Sequence, residues 1–225
     1  MASWNINQVY QSIRVIIRKN QAGSISATDL FYAWNIEQRT YHSDLVGRFQ
    51  PRGNTKSGNN TGLIENELIL TKLAPFTKNA TIVVAAGVGP KPTDYIYLLS
   101  LQIGGKACDY YEHDQKPFIE DSVIDPPSVA NSAYYYTEYE GNYNFLPNTV
   151  TSVSIDYICD VTDVIWAFTL DGAGRQVYNA GASVQPKWDA TSIIEITKRS
   201  LTQLGVSFKD ADFTNFGRTA QQTGD

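Results

Sequence analysis

The chain has only two histidines and two cysteines, so a Cys–His pair would have to draw on His42 or His113 and on Cys108 or Cys159, and both cysteines read first as buried small apolar residues. Covalent catalysis needs a nucleophile and a base in hydrogen-bond reach of one another. The stretch Cys108-Asp109-Tyr110-Tyr111-Glu112-His113-Asp114 holds a nucleophile, a base and an acid in one short segment. In an extended strand, however, residues 108 and 113 project from opposite faces, which works against a Cys–His pair. His42 stands beside Tyr41, Ser43 and Asp44 in a helical stretch and reads as a solvated or interface histidine.

Metal and phosphate chemistry fare no better. Glu112, His113 and Asp114 offer oxygen and nitrogen ligands, but adjacent residues rarely converge on one ion and no second Cys or His cluster supports them. Asp156, Asp160 and Asp163 suggest a carboxylate pair or a calcium loop, yet their spacing lacks the Gly and closing Glu of an EF-hand. Gly87-Val88-Gly89-Pro90-Lys91-Pro92-Thr93 lacks the spacing and the Gly-Lys-Ser/Thr ending of a phosphate loop, and its prolines remove backbone donors. Gly104-Gly105-Lys106 is followed by Ala107 where a phosphate loop has a hydroxyl residue. The expectation is an absence of catalytic residues, metal ligands and cofactors.

Whatever the chain does, the elements below must position it. Ile6, Val9, Tyr10, Ile13, Ile16 and Ile17 recur at helical spacing and predict an amphipathic helix over 5–19. After a break at Asn20-Gln21-Ala22-Gly23, Ser26 three residues before Asp29 predicts a capped second helix, with Leu30, Trp34, Tyr41, Leu45 and Phe49 as its stripe. Residues 51–62 read as a loop. From Leu63 onward short apolar runs broken by Gly, Pro and Asn predict strands at 68–71, 81–85, 95–103, 106–111, 149–159 and 165–169. Gly104-Gly105 predicts a two-residue hairpin turn. In the strand 149–159, Val153, Ile155, Tyr157 and Cys159 share one face, which predicts a core side. Residues 125–140 read as an excursion from the sheet. Asp189 predicts the N-cap of a last helix that Gly205 ends. The fold class is therefore α+β: an N-terminal helical hairpin (1–52), a central, mostly antiparallel β domain (63–186), and a C-terminal helix with an extended tail (187–225).

An apolar fraction of 42% suffices for a core. No stretch reaches the roughly 18 apolar residues of a membrane span, and a signal-peptide layout is lacking, so the expectation is a chain made in the cytoplasm, soluble and without a membrane partner. Charge is polarised: residues 1–52 carry net +3 and residues 107–163 net −10. Tyr134, Tyr135, Tyr136, Tyr139, Tyr143 and Phe145 fit a protein interface, a sugar-stacking platform or half-exposed strand packing. Trp34, Tyr41, Tyr134, Tyr135, Tyr136 and Tyr139 are the interface candidates of the body. Phe213 and Phe216 are those of the tail, which is expected to be ordered only against a neighbouring subunit.

The order of features from Lys91-Pro92-Thr93-Asp94-Tyr95 runs through Asp125-Pro126-Pro127-Ser128, Leu146-Pro147-Asn148-Thr149-Val150, Val153-Ser154-Ile155-Asp156-Tyr157 and Val164-Ile165-Trp166. It resembles the neck and ring structural proteins of crAss-like and related tailed bacteriophages. Trp188-Asp189, Ile193-Ile194, Leu204-Gly205-Val206, Lys209-Asp210 and Gln221-Gln222-Thr223-Gly224 resemble that family's C-terminal helix and tail, and Gly23-Ser24-Ile25-Ser26 agrees with its N-terminal layout. Where the family pattern has an Arg and a Pro after the strand's Tyr, this chain has Ile158-Cys159-Asp160-Val161. The resemblance implies a virion protein, a non-catalytic ring subunit of the head-to-tail connector present in the portal's twelve copies. Its partners would be copies of itself, the portal, other neck and tail proteins, and genomic DNA that passes without sequence-specific binding. The acidic stretch would then face the basic helices of the next subunit, or Glu112, Asp114, Glu120, Asp121 and Asp125 would line the channel. The reading from another class is a carbohydrate- or receptor-binding module of a phage tail built on the tyrosines.

Overall fold

The computed structural model describes residues 4–19, 26–49, 60–122 and 126–204; Phe213, Phe216, Asp125 and Gly205 lie outside them. The α+β class holds, with N-terminal helices, a central antiparallel sheet region and a C-terminal helix at 190–203. The chain divides into two units, one of residues up to Arg48 together with those from Val161 onward, the other Phe49–Asp160.

The first unit contains α1 (Ile6–Lys19), α2 (Ala27–Arg48), the hairpin of β9 (Phe168–Leu170) and β10 (Gln176–Tyr178), and α5 (Ala190–Gln203). Capping sets where both long helices begin. Ser26 Oγ accepts the Asp29 N–H at 3.1 Å and donates to the Asp29 carboxylate at 2.6 Å. Asp189 accepts the N–H groups of Thr191 and Ser192 at 3.2 and 3.3 Å, as its N-cap position requires. Helix α2 packs on α5 around fully buried Trp34, Trp188, Ile193 and Ile196. Trp34 Nε1 donates to Thr197 Oγ1 at 3.3 Å, and the Tyr41 ring meets Trp188 edge-on at 5.3 Å.

The segment after Val161, expected to belong to the β domain, is held on α2 instead. Asn35 accepts the Val164 N–H at 2.9 Å and donates to the Val164 carbonyl at 3.1 Å, the pairing a neighbouring strand would make. Gln38 Nε2 donates to the Thr162 carbonyl, and Arg39 pairs with Asp163 at 3.0 Å. Buried backbone groups must find such partners, and here helix side chains provide them. The expected strand 165–169 is thereby reduced to a bridge between Ile165 and Val184, followed by β9.

The second unit opens with α3 (Asn60–Leu73), which replaces both the end of the expected loop and the expected strand 68–71. Ile69 and Leu73 are buried and Leu68 is exposed, so the apolar run is read at helical and not strand spacing. One sheet follows the order β1 (Thr77–Val83), β8 (Ser152–Cys159), β3 (Tyr95–Ile103), β4 (Lys106–Ala107), all antiparallel. Val153, Ile155, Tyr157 and Cys159 of β8 are buried as their alternation requires. Gly104 and Gly105 make the β3–β4 turn with φ of +57° and +78°, the left-handed pair that a two-residue hairpin uses.

The other sheet follows β2 (Val88–Pro90), β7 (Asn142–Leu146), β6 (Tyr135–Tyr139), β5 (Asp109–Tyr110), with β5 and β6 parallel. The expected single strand 106–111 is thus shared between two sheets. The end of the supposed excursion 125–140 is also part of the sheet: it holds β6, which Glu140 and Gly141, with φ of +49° and +77°, turn into β7. The short helix α4 (Lys116–Glu120) follows a 3₁₀ turn at His113–Gln115.

Candidate interaction surface

Strands β5 and β6, the 3₁₀ turn and α4 bring three large side chains to the outside of the second unit. Phe118 is 80% exposed, Tyr110 59% and Tyr139 53%. His113 stacks on Tyr139 with ring centroids 5.6 Å apart and planes at 15°, and Tyr110 meets Tyr136 edge-on at 5.5 Å. A groove of about 500 Å³ runs between Phe118, Ile119, Gln115, Ser122 and Tyr135. In the same segments Glu112, Asp114, Glu120, Asp121, Glu138 and Glu140 are all exposed. Lys116 lies 3.8 Å from Glu120 along α4, and Lys91 pairs with Glu138.

Beneath this surface the remaining tyrosines are core. Tyr143 and Phe145 are buried on β7, and Tyr134 is buried just before β6. The Lys91 ammonium lies over the Tyr95 ring at 4.8 Å and the Tyr143 ring at 5.0 Å, a cation–aromatic clamp joining the two sheets. Burial pushes the Tyr136 hydroxyl up to about 12, with Glu138 adding to the effect. Burial, then Tyr95, raises that of Tyr143 further. The six-ring cluster is therefore one exposed ring, Tyr139, with Tyr135 and Tyr136 half-buried over a packed interior.

Other sequence-singled residues fall elsewhere. Trp34 and Tyr41, expected at an interface, are interior residues of the first unit, because α5 covers the α2 face that carries them. His42, expected to be solvated or at an interface, is buried with its ring edge-on to Trp188 at 6.1 Å. Cys108 is half-buried, and desolvation, followed by the Asp109 charge, pushes its thiol up to about 12. That environment suppresses the thiolate, opposite to what a nucleophile needs. The Glu112 N–H donates to the Gln115 side chain at 3.2 Å, capping the 3₁₀ turn.

The aspartates do not converge. Asp156 accepts from Asn79 and Ser100, each at 2.7 Å, and these bonds, Asn79 first, hold its carboxyl below the usual range. Asp163 is engaged by Arg39, while the Asp160 N–H donates to the Asp94 carbonyl. Among the described residues no group of three His, Cys, Asp or Glu is placed to hold a metal ion, and no helix is long and apolar enough to cross a membrane.

No family model matches the chain, and no curated protein matches it. The function must accordingly be argued from the surface itself. Sequence reasoning missed Phe118 and Tyr110. Only the hydrophobic Phe118-Ile119 pair between Pro117 and Glu120 signalled an apolar turn among charges.

Proposed function

We propose that this chain is a non-catalytic structural subunit of a ring in the neck of a tailed bacteriophage, between portal and tail. The carrying observation is the acid-rimmed aromatic surface of Phe118 and Tyr139, beside the groove that Phe118 shares with Tyr135. Interfaces place aromatic anchors in a polar rim, and Phe118 and Tyr139 are exposed among carboxylates in that way. Charge supplies the complement: the first 52 residues carry net +3, and exposed Arg14, Arg39 and Arg48 lie on α1 and α2.

A contact between two different patches is heterologous, and such contacts close into rings when the rotation permits. Opposite charge across it sets orientation and partner choice more than affinity. In this reading the aromatic surface of one copy meets the basic helices of the next. The order of sequence features shared with phage neck proteins supports placing that ring in a connector.

Glu120→Lys combined with Asp121→Lys tests it, since both side chains are exposed and the substitution leaves the core alone. The expected result is loss of ring closure, with a wild-type ring that weakens as salt rises. Normal assembly of the variant, insensitive to salt, overturns the charge-matched contact.

A further inference from the structure

The first unit carries a second concave feature, of which the ring reading uses only Arg14. One face of α1 presents Asn7, Tyr10, Gln11 and Arg14 at helical spacing, and the β9–β10 hairpin brings Arg175, Gln176 and Tyr178 opposite them, with Trp166 between. Together they border a half-open groove of about 430 Å³. That is within the roughly 300–1,000 Å³ of small-molecule sites and far larger than a single inorganic ion.

Its walls are fixed. Trp166 Nε1 donates to Asn7 Oδ1 at 3.2 Å, and the Tyr10 and Trp166 rings lie 4.2 Å apart. The Tyr178 hydroxyl donates to Asn5 Oδ1 at 3.2 Å and accepts from Gln185 Nε2 at 2.9 Å. The Trp166 N–H and the Tyr178 hydroxyl are thus already satisfied by the protein. Their role in the pocket is shape.

Its charge is uncompensated. Arg39 and Arg199 each hold a carboxylate, whereas neither the Arg14 nor the Arg175 guanidinium has an ion-pair partner among the described residues. Arg14 lies over the Tyr10 ring at 5.6 Å. Asp171, the acid of the hairpin turn, spends Oδ1 on the Ala173 and Arg175 backbone N–H groups, both at 2.8 Å. No carboxylate lines the pocket, and the Gln11 and Gln176 amides add donors and acceptors without charge.

We propose that this pocket binds the phosphate monoester of a ring compound. Guanidinium forks match phosphate oxygens two by two, and a pair of them balances the charge of nearly −2 that a monoester carries near neutral pH. The space beyond the phosphate, walled by aromatic rings and two amides, accommodates the ring that bears it. The inference does not require the ring-subunit reading, with which it shares only Arg14.

Calorimetric titration of the full chain tests it with four probes: a nucleoside 5′-monophosphate, the same nucleoside, a hexose 6-phosphate and inorganic phosphate. Saturable binding of at least one ester, about tenfold or more tighter than inorganic phosphate, is expected, and the tighter ester identifies the ring. Arg14→Gln with Arg175→Gln should abolish it while the thermal transition stays in place. Arg175→Gln alone, on the exposed hairpin, should weaken it about tenfold and serves if the double variant does not fold. Absence of ester binding at millimolar concentration, equal binding of the nucleoside or of inorganic phosphate, or binding unchanged in the folded variants overturns the proposal.

Discussion

Ile155→Ala probes the packing that holds the second unit together. Ile155 lies at the middle of β8, the strand with a hydrogen-bonded neighbour on each side, opposite Ala80 of β1 and Leu101 of β3, and it is fully buried. The substitution removes three carbons, about 2.4 kcal/mol of transfer free energy at ~0.8 kcal/mol each. A cavity term adds to this in proportion to the volume left unfilled. Because β8 is pinned on both sides, the walls collapse little, and the expected loss is about 3–5 kcal/mol, in the upper part of the range for such changes. Ser154→Ala is the control: Ser154 sits on the opposite face, half-exposed, and accepts one hydrogen bond from Asn79 at 3.1 Å. It should cost about 1 kcal/mol. All four tryptophans, Trp4, Trp34, Trp166 and Trp188, belong to the first unit, so tryptophan fluorescence is the wrong readout. Amide hydrogen exchange of peptides from β3 and β8 reads the loss directly. A drop below about 1 kcal/mol for Ile155→Ala, or equal drops for the two variants, would refute the assignment of that face to the core.

Two further outcomes follow from local chemistry. Asp189→Ala should destabilise α5 by about 1 kcal/mol through loss of the cap. Burial raises the Asp189 carboxyl, but the bonds from Ser192 and Thr191 outweigh it and leave the group below the usual value. A depressed folded pKa means that the cap contributes in full above the unfolded carboxylate range, near 3.9, and fades as pH falls through the lower folded value. Urea unfolding of wild type and variant should therefore differ at pH 7 and converge in strong acid. Cys108, with its thiol raised from 9.0 to about 12, should alkylate with iodoacetamide at pH 8 some hundred-fold or more slowly in the folded chain than in urea, checked by intact mass.

What the sequence revealed follows from how local each signal was. The Ile6, Val9, Tyr10 and Ile13 part of the α1 stripe, β3, the alternation in β8, the Gly104-Gly105 turn and the Ser26 and Asp189 caps are set by residues within a few positions of one another, and all are found as read. Leu68-Ile69-Leu70-Thr71 was ambiguous because a short apolar run suits strand or helix alike, and only the burial of Ile69 and Leu73 resolves it. The Glu140-Gly141 turn was legible in principle but was hidden inside a run of tyrosines. The placement of 161–186 with the helices was not legible, since it depends on contacts such as Asn35 with Val164 and Tyr10 with Trp166 between residues far apart in the chain. For the same reason the aromatic type of Trp34 and Tyr41 could not say which face α5 would cover, and nothing in the tyrosine run told exposed Tyr139 from buried Tyr134 and Tyr143.

The most direct test of the central claim is to locate the chain in an assembled particle by electron microscopy, using a small C-terminal tag and a bound label. The account predicts label confined to a closed ring between capsid and tail. Label on the capsid shell or at the distal tail tip, or particles that lack the chain, would contradict it.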